Sequence, residues 1–147
     1  ASEVLRGGLA VDAGVFAPFN SQNTAAVRAL APLLMVLPGI GRHQDIWASF
    51  VAQRLMMETP YRLHYGKPFV WQERTPQDLW RNLREELLGL EVGGRIVDDL
   101  RSVELEGTTV VGDLRRVFEA MRMWNYVPEQ TWRFGLAWCS DLESVGS

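Results

Sequence analysis

The stretch that most constrains this chain runs from Pro38-Gly39-Ile40-Gly41-Arg42-His43-Gln44-Asp45 straight into Ile46-Trp47-Ala48-Ser49-Phe50-Val51-Ala52-Gln53-Arg54-Leu55-Met56-Met57-Glu58. Gly39 and Gly41 interrupt regular structure before a helix can start. From Asp45 to Glu58, Ile46, Phe50 and Met57 recur at helical spacing, and Trp47 and Val51 widen that face. The opposite face carries Asp45, Ala48, Ser49 and Ala52, whose small side chains let another backbone approach closely. A helix of this kind is expected to be buried on most sides, with a carboxylate in its first turn and Arg54 among aromatics. A buried charge is costly unless it is paired or used. Thr59-Pro60 ends the helix.

Two apolar segments precede it. Leu33-Leu34-Met35-Val36-Leu37 is a continuous run closed by Pro38-Gly39, and five residues suit a fully buried strand. Val15-Phe16-Ala17-Pro18-Phe19 reads as a second strand, with Pro18 marking an edge or an end. A strand entering a Gly-containing loop and then a helix is an α/β arrangement. Arg42 and Asp45 would then lie at a strand's carboxyl end, where ligands commonly bind in open α/β sheets. The polar cluster Asn20 to Thr24 follows the first strand, and Asn23 or Thr24 suits the cap of a short helix through Ala25, Val27 and Leu30. Asn20, Gln22 and Asn23 have two readings: turn and capping chemistry, or a polar lip that meets ligand.

The second half is helical. Tyr61 to Tyr65 and Phe69 to Trp71 read as a loop with a short strand or hairpin. Thr75-Pro76-Gln77-Asp78 reads as a helix start, with threonine as the cap and proline at the first helical position. Leu79, Leu83, Leu87 and Leu90, with Trp80 beside them, form a stripe. Gly93-Gly94 separates it from Ile96, Val97, Leu100 and Val103. Gly107 separates these from Val110, Leu114, Val117, Met121 and Trp124. Pro128-Glu129 opens a last helix with Trp132, Leu136 and Cys139. All of these stripes read as core. The fold class expected is thus α/β and helix-rich. At 147 residues the chain fits one domain, with a lead-in at 1–14, an α/β core at 15–90 and a helical extension at 91–147.

A net charge of -3 gives no electrostatic case for nucleic acid or for an anionic membrane surface. Cys139 is the only cysteine, which excludes an internal disulfide and a cysteine metal cluster. No apolar run has the length of a membrane span, and no signal peptide is read. There is no phosphate loop and no Asp-x-Asp pair. His43 and His64 have no ligand-like spacing, and Ser49 and Cys139 sit in no nucleophile motif.

Gly41-Arg42-x-x-Asp45-Ile46-Trp47-x-x-Phe50-x-x-Gln53-Arg54-Leu55 resembles the GR-x-x-DIW-x-x-Y/F-x-x-QRL signature of STELLO-type glycosyltransferases. Pro18-Phe19-Asn20-Ser21-Gln22-Asn23-Thr24 is similar to that family's PFN-x-Q-N/A-T segment. Tyr65-Gly66-Lys67-Pro68-Phe69-Val70-Trp71-Gln72-Glu73-Arg74 is similar to its G-P-x-V-Y-Q-E/K-R segment. The likeness covers about Val15 to Leu90. It implies the acceptor-side, carboxyl-terminal half of a GT-A-like nucleotide-sugar transferase, with additional helices after it. The nucleotide-binding half is then expected upstream or on a partner chain, and a divalent Mn or Mg ion, if used, would be held mainly there. The implied partners are a nucleotide-sugar and a carbohydrate acceptor. The implied location is the Golgi if the chain is plant-like, and otherwise the cytoplasm.

Within that reading Asp45 is the base that takes the acceptor proton, and Arg42 forks onto the leaving diphosphate. His43 assists at metal or phosphate, and Asn20, Gln22 and Asn23 meet sugar hydroxyls. Each has a plainer counterpart. An acid in a helix first turn stabilises by roughly 0.5–1 kcal/mol through capping and the dipole. Arg42 is otherwise a solvated loop charge, and Arg54 an ion pair with Glu58 or Asp45. The competing class is a non-catalytic helical interaction module or subunit that keeps the motifs for packing.

Overall fold

The structure is a computed structural model that describes residues 7–67, 70–73 and 76–146. These form a helix-rich molecule with one small two-stranded sheet. The helices are α1 (Gln44–Met56), α2 (Leu79–Ser102), α3 (Val110–Met121) and α4 (Glu129–Gly146). Two 3₁₀ helices, Arg28–Leu33 and Gly41–His43, precede α1. The strands β1 (Leu9–Ala10) and β2 (His64–Tyr65) pair antiparallel, with Leu9 opposite Tyr65 and Ala10 opposite His64.

The expected strands are not where the sheet is. Leu34 to Leu37 is irregular chain without a strand neighbour, and Leu33 ends the first 3₁₀ helix. Leu33 and Leu37 are buried while Leu34 and Val36 are exposed. Side chains of α4 satisfy nearby carbonyls instead: Trp138 Nε1 donates to Pro32 O at 2.9 Å and Thr131 Oγ1 to Pro38 O at 2.7 Å.

Val15–Phe19 is likewise irregular and pairs with no strand, and it lies along α1. Gln53 Oε1 accepts from Ala17 N at 2.8 Å and Ser49 Oγ accepts from Phe19 N at 3.2 Å. Phe16 meets Phe50 edge-on, with ring centroids 6.0 Å apart. Of the face of α1 read as open to a close backbone, Ser49 meets one, and Gln53 beside it does the same, through side-chain acceptors rather than a ladder.

Helix α1 is buried on most sides, as its sequence predicts: Trp47, Ala48, Ser49 and every residue from Val51 to Met56 are buried. Arg54 spans α1 and the end of α2. Its Nε donates to Leu100 O at 3.1 Å, Nη2 to Val103 O at 2.8 Å, and Nη1 pairs with Glu58 Oε1 at 2.9 Å. A cation on the last carbonyls of a helix suits the helix dipole. Leu100 O also accepts from Val103 N at 3.2 Å, so the carbonyl that depends on Arg54 is that of Val103, and stripping it of its partner would cost about 1–3 kcal/mol.

Helix α2 differs from its expected shape in three ways. Its N-cap is Asp78, which accepts from Arg81 N at 3.0 Å, while Thr75 lies outside the described residues. The chain runs helical through Gly93-Gly94, so two expected stripes are one helix. The first of them is not core: Leu79, Trp80, Leu83, Leu87 and Leu90 are 74, 75, 42, 45 and 60% exposed. Only Gly89, Ile96 and Leu100 of α2 are buried. Around Asn20–Thr24, the expected short helix is the 3₁₀ turn at Arg28–Leu33, led by Val27 without a side-chain cap.

Helix α3 is capped by Thr109, whose hydroxyl accepts from Gly112 N at 3.0 Å. It buries Leu114, Val117, Phe118 and Met121, and Val110 is partly buried. Buried Asp113 organises the turn before α3 by accepting from Glu106 N at 2.8 Å and from Gly107 N. Helix α4 begins at Glu129, after Pro128, and packs with Cys139 buried; Arg115 joins α3 to α4 through Glu143 at 2.8 Å. The buried residues form one cluster from Leu30 to Cys139, with fully buried Trp47 near its centre and edge-on to Tyr126. Among the described residues no helix is long and apolar enough to cross a membrane.

Candidate functional site

The residues singled out in the sequence fall on two sides of α1. Gly41, Arg42 and His43 turn towards α2. Gly41 has φ +61°, and a side chain there would run into the Glu85 carbonyl oxygen. Arg42 Nε pairs with Glu86 Oε1 at 3.0 Å across a partly exposed gap. His43 lays its ring on Gly89, where a Cβ would collide with it. His43 Nδ1 is buried without a hydrogen-bond partner among the described residues. Two glycines thus bring the Gly41–His43 turn onto the α2 backbone.

Asp45 and the Asn20–Thr24 segment lie on the other side. Asp45 sits half-buried in the first turn of α1, and its Oδ1 accepts from Ile46 N at 2.9 Å. It lines a hollow of about 130 Å³ with Ser21, Thr24, Met35 and Ser49. Asn20 and Thr24 shape the lip: Asn20 Oδ1 accepts from Gln22 N at 3.1 Å, and Thr24 Oγ1 donates to Asn20 O at 2.5 Å. That is the turn chemistry expected of an Asx residue.

Beside this hollow lies a groove of about 640 Å³ that shares Phe19, Thr24, Leu33 and Leu34 with it. Asn20 and Asn23 line the groove, whereas Gln22, Arg42, His43 and Asp45 do not. Its apolar floor includes Leu30, Ile46 and Met56. Its other wall is Tyr61 to Lys67. Tyr65 ties the two walls together by donating its hydroxyl to Pro18 O at 2.6 Å. Arg62, His64 and Lys67 line it, and among the described residues no carboxylate does. These wall residues escaped the reading of the sequence as site candidates. The signal available was an aromatic segment broken by Gly66 and Pro68, read as a loop with a short strand or hairpin; the strand is there as β2, but that it pairs with β1 and closes back on Pro18 is a long-range fact.

The chemistry on hand is limited. Among the described residues no group of three or more His, Cys, Asp or Glu is placed to hold a metal ion. The described residues therefore offer no ligand set that fits a divalent ion. Cys139 is buried, and burial pushes its thiol up to about 11, which keeps it protonated and unreactive near neutral pH. Tyr126 is raised by burial and by its bond to Asp99 Oδ2 at 2.7 Å, so it too is structural. Compared with models of protein families, with curated proteins and with solved structures, the chain matches none.

Proposed function

We propose that this chain is the acceptor-side portion of a glycosyltransferase that moves a sugar from a nucleotide-sugar to an acceptor hydroxyl. The observation that carries the reading is the groove between the Asn20–Thr24 lip and the Tyr61–Lys67 wall, lined from all three segments that resemble the STELLO-type motifs: by Asn20 and Asn23, by Ile46 and Ala52, and by Tyr65 to Lys67. Its makeup suits a carbohydrate: amides and a hydroxyl at the lip, tyrosines on the wall and an apolar floor. Arg62, His64 and Lys67 without an opposing carboxylate suit an acceptor that bears an acidic group. In the transfer, the acceptor oxygen would bond to the anomeric carbon as the bond from that carbon to the diphosphate breaks. Asp45, in the adjoining hollow, would take the acceptor proton. Arg42 would reach the diphosphate only by giving up Glu86. The nucleotide-binding half, and any divalent ion, belong to a segment upstream or a partner chain.

A second reading has its own support. Gly41, Arg42 and His43 are all engaged with α2, and Gln53 and Arg54 with backbone, so most of the motif has a packing role. A non-catalytic module would keep these residues for that reason alone. Ligand-observed NMR with neutral and uronic-acid oligosaccharides tests the choice. The transferase reading expects saturable binding that prefers the acidic series and weakens about tenfold with Asn20→Ala or Lys67→Ala. Equal failure of both series to bind would leave the packing module.

A further inference from the structure

Charge and apolar surface are segregated in the groove beside α1. Its floor is Leu30, Leu33, Leu34, Ile46, Ala52 and Met56, six side chains without a strong donor or acceptor. Its lip turns from polar to apolar along the chain, with Asn20, Asn23 and Thr24 followed by Ala25, Ala26 and Val27. Val27 and Leu34 are each 48% exposed, so part of this apolar lining is open to water. Open apolar surface gathered in a groove is a mark of a binding site. The basic side chains, Arg62, His64 and Lys67, all come from the opposite wall. Eight arginines elsewhere, from Arg42 to Arg133, each hold a carboxylate. Among the described residues Arg62, His64 and Lys67 hold none. Arg62 Nη1 is fixed by the carbonyls of Thr59 at 2.7 Å and Tyr61 at 2.6 Å, which leaves Nε and Nη2 without a partner among the described residues. Asp12 shares a separate crevice of about 20 Å³ with Arg62 and makes no ion pair with it.

We propose that the groove takes an anionic amphiphile with one alkyl chain, the chain on the floor and an acidic sugar head between the lip amides and the basic wall. That this amphiphile is the acceptor rests on the transferase reading above; that it binds does not. A free oligosaccharide would use the groove less well. Hydroxyls ringing a pyranose would lose water against the floor and find no partner there, and an unpaired buried polar group is costly. An alkyl chain has nothing to pair, and each methylene laid on the floor favours binding. Arg62 and Lys67 would meet the acid through charge-assisted bonds, the stronger kind. At about 640 Å³ the groove falls within the range of small-molecule sites, about 300–1,000 Å³. The Tyr65 hydroxyl on Pro18 O already joins wall to lip, which makes a concave site for a single molecule rather than a flat face for a bilayer.

Isothermal titration calorimetry of the chain with octyl glucuronide, below its micelle concentration, tests this. Methyl glucuronide supplies the head alone, and octyl glucoside the same chain without the charge. The expected result is one-to-one binding of octyl glucuronide with a Kd of about 10–100 µM, and both controls at least tenfold weaker. Leu34→Asp, at an exposed position on the floor, should lower the affinity at least tenfold with Tm held, and Val27→Asp on the lip should do the same. Lys67→Ala should weaken octyl glucuronide about three- to tenfold and leave octyl glucoside unchanged. Octyl glucuronide that does not bind, or that binds no better than either control, overturns the proposal. So does binding that survives both Leu34→Asp and Val27→Asp. Sugar transfer by the complete enzyme onto uronic-acid oligosaccharides, without octyl glucuronide binding, would sink the amphiphile and keep the transferase. Octyl glucuronide that binds but is never glycosylated by the complete enzyme, with no oligosaccharide glycosylated either, would keep the amphiphile site and sink the transferase.

Discussion

At the scale of single residues, Asp45 is where the catalytic and structural readings part. Its Oδ1 already accepts from the Ile46 amide, which any first-turn acid can do. Asparagine would keep that acceptor and the shape of the hollow while removing the charge and the basic site. Asp45→Asn should therefore cost stability by only a few tenths of a kcal/mol up to ~1. If Asp45 takes the acceptor proton, turnover in the complete enzyme should fall by roughly 10²–10⁴. Thermal unfolding measured beside sugar-transfer rates separates the two, and turnover that survives the substitution leaves Asp45 as a helix-end acid. Arg54 shows how a residue can look functional and act structurally. Its pattern asked for a partner, and the nearest in sequence, Glu58, is one of three; the others, Leu100 and Val103, lie more than forty residues on.

At the scale of elements, the contact between the Gly41–His43 turn and α2 is made by missing side chains. Gly89 and Gly93 stand four residues apart on the same helix. A Cβ at Gly89 would collide with the His43 ring, whereas at Gly93 nothing lies within 4 Å. Alanine is the better helix former by about 1 kcal/mol. Gly93→Ala should thus raise stability by roughly 0.5–1 kcal/mol, and Gly89→Ala should lower it by about 1–3 kcal/mol as the turn is pushed off. Denaturant midpoints for the pair check the packing directly, and equal effects would mean the turn does not rest on α2. The same elements show what the sequence could and could not reveal. Helix α1 was legible because its apolar residues, its glycine lead-in and its Thr59-Pro60 stop agree. Helices α3 and α4 were legible from Leu114, Val117 and Met121 and from the Pro128-Glu129 start. The strands were not. Leu33–Leu37 and Val15–Phe19 have the composition of strands, but backbone partners are chosen by tertiary contacts: Leu37 N donates to Gln44 O, Trp138 and Thr131 take the carbonyls of the flanking Pro32 and Pro38, and Gln53 and Ser49 take the amides of Ala17 and Phe19. Leu79 to Leu90 has the periodicity of a core helix, and periodicity identifies an apolar face without saying what covers it.

At the scale of the whole molecule, the four helices and the Leu30–Ile40 segment build one buried cluster that includes Trp47, while the small sheet is exposed and the groove and the α2 stripe lie on the surface. The groove was half legible: Asn20 and Asn23 were marked by their polarity after an apolar segment, while the Tyr61–Lys67 wall depends on a strand pair and a tyrosine bond that span the chain. The two residues assigned to the leaving diphosphate and its surroundings are both engaged. Arg42 is taken by Glu86, and His43 Nδ1 is buried against α2. The acceptor-side reading therefore places donor binding elsewhere, and calorimetric titration of the chain with UDP- and GDP-sugars in the presence of Mn²⁺ tests that most directly. The account predicts no saturable heat below about millimolar donor. Binding in the micromolar range would contradict it, because the chain would then hold the nucleotide half of the site itself.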